Sequence, residues 1–272
     1  MKDCCEDASK ASDLVIVGGG SAAFAGAIKA DAMGAQVTLI NGGLPIGGAC
    51  VNVGCVPSKT LIRAAAAHHR ASHHHFAGID SQSRVTDFKA VIAQKRELVE
   101  ELRSAKYSDL IPNMPHLRVI EGRAQLVDPH VVQVNGERLN SDHIIISTGS
   151  SPLIPSIPGL AETGYLTTET AFELDELPES LIVLGGGYIG LECSQMFARL
   201  GSRVTLVELL PRILPNEMPD LSQALTEYLE EENIEIITGA GLFLRHHRIC
   251  LFHKEELISS RLLKKSMQGI FP

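Results

Sequence analysis

The sequence lacks the features that would place it in a membrane or on a nucleic acid. No apolar run is long enough to span a bilayer, and the first residues lack the apolar core of an export signal. Acidic residues outnumber basic ones, 32 to 24, which gives a net charge of −8. Phosphate backbones and anionic membrane surfaces repel a chain of that charge. We therefore expect a cytoplasmic protein that has neither nucleic acid nor membrane as a partner.

Cysteine is scarce, with six residues in 272. In a chain without an export signal, paired cysteines are catalytic or metal-binding more often than structural, because the cytoplasm keeps thiols reduced. Cys50 and Cys55 stand behind a glycine pair and ahead of a run of helix formers. Their spacing puts both sulfurs near one helix face, and a helix N-terminus lowers a thiol pKa. The segment therefore predicts a redox-active dithiol.

A dinucleotide-binding fingerprint precedes the dithiol. The apolar strand 13–17 runs into a glycine-rich turn, an alanine-rich helix and a second strand. In this context Gly18 makes the tight turn, Gly20 lets the backbone approach a pyrophosphate, and Ala23 lets the helix pack closely on the strand. The helix N-terminus at Ser21 would then hold the phosphates.

The acidic residue that binds ribose in such fingerprints usually ends the second strand. In this chain that position holds Asn41. An asparagine can hydrogen-bond a hydroxyl, but without the charge assistance of a carboxylate. We therefore expect the ribose contact to be made at Asn41 and to be weaker than usual.

A second fingerprint opens after a proline-containing linker. An apolar strand leads into Gly185, Gly187 and Gly190, so that all three glycine positions of the motif are filled. Glu208 closes the following strand, where a carboxylate would bind the ribose hydroxyls of NADH and repel a 2'-phosphate. Arg212 lies close by in the sequence and keeps NADPH open as the alternative.

The dithiol segment resembles the active-site segment of the pyridine nucleotide-disulfide oxidoreductase family. Val51 and the runs 53–56 and 57–59 are most similar to the mercuric reductases of that family. The resemblance covers about residues 13–240. It implies an α/β fold with two Rossmann-like domains of three layers and mostly parallel sheets, the first binding FAD and the second NADPH or NADH.

The resemblance also divides the chain. We expect a flexible N-terminus over 1–12, an FAD-binding domain with the dithiol over 13–150, and an incomplete NAD(P)-binding domain over 151–240. Residues 241–272 carry six basic residues against two acidic ones and show no turn-and-strand rhythm. Because family members continue into a C-terminal domain that makes them homodimers, the absence of that domain predicts a truncated reading frame with an out-of-frame tail. A genuine short variant is the alternative.

The resemblance implies roles for individual residues. Cys55 is the sulfur nearer the flavin and Cys50 is the exchange thiol, and both bind Hg(II) as the substrate. Lys59 lies near the flavin and pairs with Glu192, while Tyr188 gates the entry of nicotinamide. Three further residues belong to the expected flavin site: Gly48, Thr148 and Gly149.

The expected function is a two-electron relay. Electrons pass from NAD(P)H through FAD and the dithiol to Hg(II), a soft ion suited to thiolates, which leaves as Hg(0). A dithiol oxidoreductase of the dihydrolipoamide dehydrogenase type stays open as an alternative. An inactive truncated remnant is the alternative of another class.

A histidine-rich stretch follows the dithiol helix. His69 and His73 stand four residues apart and could share a metal ion on one helix face. No other ligand residues cluster with them in the sequence. A solvated histidine loop is therefore the simpler interpretation.

Overall fold

The computed structural model of the protein describes residues 12–74, 76–245, 248–253 and 256–258, with side chains described up to residue 241. The chain forms two compact units. Unit 1 comprises the residues up to 57 together with 96–152, and unit 2 comprises 58–95 together with the residues from 153 onward. Within the described part of the chain, no helix combines the length and apolar character needed to cross a bilayer.

Unit 1 is built on one six-stranded sheet. Its strands are β1 (Ser12–Val17), β2 (Val37–Asn41), β3 (Leu117–Glu121), β4 (Gln125–Asp128), β5 (Val131–Val134) and β6 (Glu137–Ile146). They lie in the order β3-β2-β1-β6-β5-β4. The first three strands and the second half of β6 run parallel, whereas β4, β5 and the first half of β6 form an antiparallel meander. All five residues of β2 are buried, as expected for a central parallel strand covered on both faces.

Helix α1 (Ser21–Ala32) connects β1 to β2 and completes a βαβ unit. Its buried face consists of Ala23, Phe24 and Ala27, which pack in one core cluster with Ile16 and Leu39. The chain then turns at Gly34, which has a φ of +80° that favours glycine. This arrangement matches the first predicted fingerprint and places the start of the helix at the carboxyl edge of the sheet.

The dithiol lies on two successive helices, α2 (Gly48–Asn52) and α3 (Cys55–Ser72). The chain passes from unit 1 to unit 2 within α3, and returns within α4 (Phe88–Arg103). A π-helical turn (Ser104–Ser108) and a 3₁₀ turn (Ile111–Asn113) follow α4 in unit 1. In unit 2, apolar side chains of α3 and α4 belong to the main core cluster: Leu61, Ala65, Phe88 and Ile92.

Unit 2 contains a second, smaller nucleotide-binding fold. After the short helices α5 (Leu160–Thr163) and α6 (Thr168–Ala171) come β7 (Ser180–Leu184), α7 (Tyr188–Leu200), β8 (Arg203–Val207), α8 (Pro219–Glu231) and β9 (Glu235–Ile237). The three strands form a parallel sheet in the order β7-β8-β9. The chain is therefore α/β with two Rossmann-like folds, as the sequence predicts.

The segment after β9 forms an antiparallel sheet of three strands. They are β10 (Ala240–Arg245), β11 (Arg248–His253) and β12 (Glu256–Ile258). β10 pairs with β11 from Ala240 opposite His253 to Arg245 opposite Arg248. The expectation of no strand rhythm after residue 240 is therefore wrong for these residues. The segment contains runs of Leu, Ile and Phe, which favour β-strands. Its basic charge, on which the expectation was based, does not prevent strand formation.

An ion pair connects two helices of unit 2. Glu232, just beyond α8, accepts hydrogen bonds from Nε and Nη2 of Arg199 on α7 at 2.7 and 2.6 Å, and from Gln195 at 2.9 Å. Burial raises the pKa of Glu232, but the hydrogen bonds and charge of Arg199 outweigh it, so that the net pKa is lowered. The Glu232 side chain is 17% exposed, so this bidentate pair is partly desolvated.

We expect Glu232→Ala to lower the free energy of unfolding by about 1–3 kcal/mol, because it leaves the Arg199 guanidinium without its charged partner. Urea denaturation of the variant and of the exposed neighbour control, Glu231→Ala, would measure the difference. Because the pKa of Glu232 is lowered from its ordinary value of 4.5, the pair stabilises the folded state fully above pH 4.5. That stabilisation is lost as the pH falls through the lower pKa of the folded state. Equal stability of the two variants at pH 7 would contradict a structural role for the pair.

Candidate nucleotide sites and dithiol

The glycine loop of unit 1 has no room for side chains at its first position. Gly18 has a φ of +130°, and a Cβ there would lie 2.1 Å from the carbonyl oxygen of Ser147. Gly20 differs, because its backbone is extended and its Cβ would make only an ordinary contact at 3.7 Å, with Gly48. Gly18 is therefore required by the fold, whereas Gly20 leaves space beside the start of α1.

The segment that carries the dithiol lies directly against this loop. The amide of Gly47 donates to the carbonyl of Gly19 at 2.7 Å, and Gly20 and Gly47 form an isolated parallel bridge. Gly48 has a φ of +66°, and a Cβ there would lie 2.7 Å from the Cα of Gly20. This backbone contact explains why glycines precede the dithiol and places Gly48 beside the predicted pyrophosphate position.

Two further residues of the predicted phosphate site lie on α1. Ala23 is fully buried, and so allows the close packing predicted for it. The hydroxyl of Ser21 lies 3.0 Å from the hydroxyl of Tyr107, in the π-helical turn. Thr148 and Gly149 follow β6 and are exposed, with Gly149 at a φ of +69°. Their predicted flavin contacts stay predictions.

Asn41 ends β2, as predicted, but its side chain is almost fully occupied. It is 3% exposed, and its amide nitrogen donates to the carbonyl of Leu44 at 3.1 Å and to Glu121 at 2.8 Å. No sequence motif marks Glu121. Only the pairing of β2 with β3 sets it opposite Asn41.

Both cysteines of the predicted dithiol are exposed, and the structure holds them as thiols. The pKa of Cys50 is raised, first by its hydrogen bond with the Cys55 side chain and then by partial burial. The expectation of a lowered pKa is therefore wrong for Cys50. Cys50 lies in the middle of the five-residue helix α2, whereas Cys55 takes the N-terminus of α3, so the helix dipole does not favour a Cys50 thiolate.

A third cysteine, Cys193 on α7, has a different environment. Burial, followed by the neighbouring charge of Glu192, raises its pKa to about 11. A thiol of that pKa stays protonated at neutral pH and is a poor nucleophile or metal ligand. Cys193 is partly buried and packs against the core cluster of unit 2.

The glycine loop of unit 2 repeats the logic of the first. Gly185 has a φ of +103°, and a Cβ at Gly190 would lie 1.9 Å from the carbonyl oxygen of Gly185. Gly187 caps α7 with an extended backbone at a φ of −81°, and a Cβ there would meet no described atom within 4 Å. Two glycines are thus required by the fold, and Gly187 leaves open space at the start of the helix.

Glu208 follows β8 and faces this loop. Its Oε2 accepts from the amide of Gly186 at 2.6 Å and its Oε1 from the amide of Leu210 at 2.7 Å, so only 8% of the residue is exposed. Nη2 of Arg212 donates to the carbonyls of Pro215 at 2.5 Å and Glu217 at 3.1 Å. The Glu208 carboxylate lies at the predicted ribose position, and this nitrogen of Arg212 is bonded within its own loop.

Unit 2 also brings two predicted catalytic residues together. The Nζ of Lys59 lies 2.5 Å from both carboxylate oxygens of Glu192, and the two side chains are 54% and 44% exposed. An ion pair so open to solvent contributes little to stability. Tyr188, at the start of α7, is exposed and donates its hydroxyl hydrogen bond to Glu217, which raises the pKa of the phenol.

The histidine pair on α3 forms a stack instead of a ligand cluster. The rings of His69 and His73 lie 4.2 Å apart at an angle of 3°. Among the residues that the structure describes, no three His, Cys, Asp or Glu side chains are placed to hold a metal ion. A metal site on this helix therefore has no support beyond the spacing.

The described chain thus combines two Rossmann-like folds of the α/β class with a cysteine-bearing segment that contacts the first glycine loop. The sequence profile described as pyridine nucleotide-disulphide oxidoreductase matches residues 12–247. The chain belongs to that family, whose members use FAD and NAD(P)H.

Curated relatives give a narrower comparison. A mercuric reductase from Lysinibacillus sphaericus is 43% identical over 228 residues, which are 84% of this chain and 41% of that protein. One from Streptomyces lividans is 43% identical over 236 residues, 85% of this chain and 49% of that protein. The chain thus spans less than half the length of these relatives. The solved HOCl-induced flavoprotein disulfide reductase RclA from Escherichia coli is 32% identical with a TM-score of 0.76, over 90% of this chain and 54% of that chain.

Two glycines of the second loop separate folding from nucleotide binding. We expect Gly190→Ala to lower the thermal midpoint of unfolding by several degrees, because its methyl group meets the Gly185 carbonyl. Gly187→Ala should leave that midpoint unchanged and weaken NAD(P)H binding by about tenfold or more, since its methyl group enters the open space at the predicted pyrophosphate position. Calorimetry and fluorescence titration would measure both. The same loss of stability in both variants would contradict the distinction.

Proposed function

We propose that the chain acts as a mercury(II) reductase-like flavoprotein, which takes two electrons from NAD(P)H through FAD and the Cys50–Cys55 dithiol to Hg(II) and gives Hg(0). The observation that carries the proposal is the dithiol itself: two exposed, mutually hydrogen-bonded thiols on a segment docked against the first glycine loop. The 40–43% identity to mercuric reductases supports the choice of substrate.

The residues of unit 1 fit FAD. Gly20 leaves open space at the N-terminus of α1, where backbone amides and the helix dipole favour a pyrophosphate. Gly48 permits a close backbone approach at the same place. When bound, FAD supplies the two-electron chemistry that links nicotinamide to the cysteine pair. The first loop thus binds the cofactor, and the docked segment holds the thiols beside it.

The cysteine pair then performs the exchange with mercury. Reduction of a Cys50–Cys55 disulfide by two electrons and two protons gives two thiols, and binding of Hg(II) as a dithiolate releases those protons again. A second NAD(P)H supplies the two further electrons that reduce the bound Hg(II) to Hg(0), which leaves the cysteine pair as two thiolates. Since the pKa of Cys50 is raised, the first binding step should strengthen as pH rises above neutrality.

Three side chains of unit 2 complete the proposal. By resemblance, Lys59 stabilises the reduced state electrostatically and Glu192 holds its ammonium group in place, which the observed ion pair supports. Tyr188 covers the nicotinamide entrance. Its exposed position at the start of α7, held by Glu217, is consistent with a side chain that moves when nucleotide binds.

We further propose NADH as the preferred nucleotide. The Glu208 carboxylate ends β8 at the ribose position, and Arg212 is bonded to Pro215 and Glu217. A 2'-phosphate about 4 Å from a carboxylate loses about 1 kcal/mol even in water, so NADH should bind at least fivefold more tightly than NADPH. Titration of both nucleotides against the wild type and Arg212→Ala would test this. Selective loss of NADPH binding in the variant would contradict it.

The dithiol is tested by alanine substitution of each cysteine. We expect Cys50→Ala and Cys55→Ala to abolish Hg(II)-dependent NAD(P)H oxidation in the presence of excess thiol, and Cys193→Ala to retain it, because Cys50 and Cys55 are exposed whereas Cys193 is partly buried. The wild-type absorption spectrum, before and after anaerobic two-electron reduction, should show bound flavin and a new long-wavelength thiolate-to-flavin band.

Other outcomes distinguish the alternatives. Lipoamide-dependent oxidation without a response to Hg(II) would favour the dihydrolipoamide dehydrogenase type. If the chain is purified without flavin and does not bind added flavin, the result would favour an inactive remnant. Full mercury-dependent activity in both Cys50→Ala and Cys55→Ala would reject the dithiol mechanism.

A further inference from the structure

We propose that Glu121 supplies the carboxylate that the first nucleotide site lacks at Asn41, so that the ends of two neighbouring strands together anchor the adenosine ribose of FAD. The inference rests on the proposed binding of FAD by unit 1. It names a residue that no fingerprint marks, because the residue lies on β3, outside the βαβ unit.

Asn41 cannot take the role of the usual acid by itself. Both hydrogen-bond partners of its amide nitrogen, the Leu44 carbonyl and the Glu121 carboxylate, are acceptors, so the orientation of the amide is fixed and both N–H groups are used. Its Oδ1 faces the glycine loop, where a Cβ on Gly19 would lie 2.1 Å away. With 3% exposure, Asn41 braces the loop and offers a ligand little surface.

Glu121 has the properties that Asn41 lacks. It is the last residue of β3 and pairs in register with Asn41, at the carboxyl edge where α/β sheets bind ligands. Its side chain is exposed, and Oε2 accepts the 2.8 Å hydrogen bond from Asn41. A carboxylate has about four lone-pair sites, so this contact leaves capacity for ribose hydroxyls.

The backbone holds the two strand ends together beyond the last pair. The amide of Gly122 donates to the carbonyl of Asn41 at 2.7 Å, and a Cβ on Gly42 would lie 2.6 Å from the Gly122 carbonyl oxygen. The side chain of Asn135 donates to the carbonyl of Glu121 at 2.9 Å. Glu121 is thus fixed at the backbone, and the hydrogen bond from Asn41 orients its carboxylate, which lowers the cost of ordering it around a ligand.

The second site shows how the two tasks are usually combined. There Glu208 both braces the loop, through the amide of Gly186, and carries the charge. In the first site the bracing falls to Asn41, opposite Gly19, and the charge falls to Glu121. The departure at position 41 therefore moves the carboxylate one strand outward instead of removing it.

The test compares two matched variants of the 272-residue chain. Glu121→Gln keeps the acceptor for Asn41 but loses the charge-assisted bonds to ribose, so we expect the FAD dissociation constant to rise about tenfold. Glu137→Gln removes the same charge from an exposed glutamate of the same sheet, paired with Arg118, and should change it less than twofold. Flavin fluorescence titration measures both, and circular dichroism confirms folding.

Two further arms separate a ribose contact from a structural one. FAD that lacks the 2'-hydroxyl of the adenosine ribose should bind the wild type more weakly than FAD does. In Glu121→Gln, the deoxy analogue and FAD should bind with equal affinity. Asn41→Glu should weaken FAD binding, because it sets two carboxylates side by side, whereas Asn41→Glu combined with Glu121→Gln should restore it.

Equal FAD affinity of Glu121→Gln and Glu137→Gln would overturn the inference and leave the proposed function intact. The same fold loss for FAD and its deoxy analogue in Glu121→Gln would also overturn it, since the pair would then be structural only. If Asn41→Glu does not fold, the two glutamine variants still decide. A wild-type chain that binds no FAD would overturn both the inference and the proposed function.

Discussion

The contact between two pieces of glycine backbone is the constraint on which the rest of unit 1 depends. Gly19 and Gly20 of the first loop lie against Gly47 and Gly48. A Cβ on Gly48 would lie only 2.7 Å from the Cα of Gly20, so the contact requires glycine. The contact fixes the start of α1, where we propose that a pyrophosphate binds, relative to α2, which carries Cys50. The proposed cofactor site and the cysteine pair are thus joined by main-chain atoms.

The two predicted nucleotide sites differ in where a carboxylate lies relative to the glycine loop. In the proposed function each site needs an acceptor for ribose hydroxyls and a residue that supports its glycine loop. In unit 2 we assign both tasks to Glu208, whose two oxygens accept from the amides of Gly186 and Leu210. In unit 1 the bracing residue is the buried Asn41, and the exposed carboxylate beside it belongs to Glu121. A motif search that examines one strand at a time finds the first arrangement and overlooks the second.

Local sequence patterns predicted much of the fold. They failed for features that depend on a contact with another strand or side chain. The glycine loops, the α/β class and the Lys59–Glu192 pairing followed from motif spacing and resemblance, and the structure contains each of them. The sequence patterns did not predict the strands after residue 240, because these strands are defined by the antiparallel pairing of β10 with β11. The Cys50 pKa was missed because its cause is the neighbouring thiol of Cys55 and not the helix dipole.

The sequence by itself determined where the backbone must come close. Glycine at positions 18, 185 and 190 is required by positive φ angles or by carbonyl oxygens within 2.1 Å of a Cβ, and such requirements appear in the sequence as glycine. Only the tertiary structure decided which side chains meet across strands and helices: Asn41 with Glu121, and Arg199 with Glu232. These pairs depend on strand register and helix packing, which arise from contacts distant in the chain, and no local spacing encodes them.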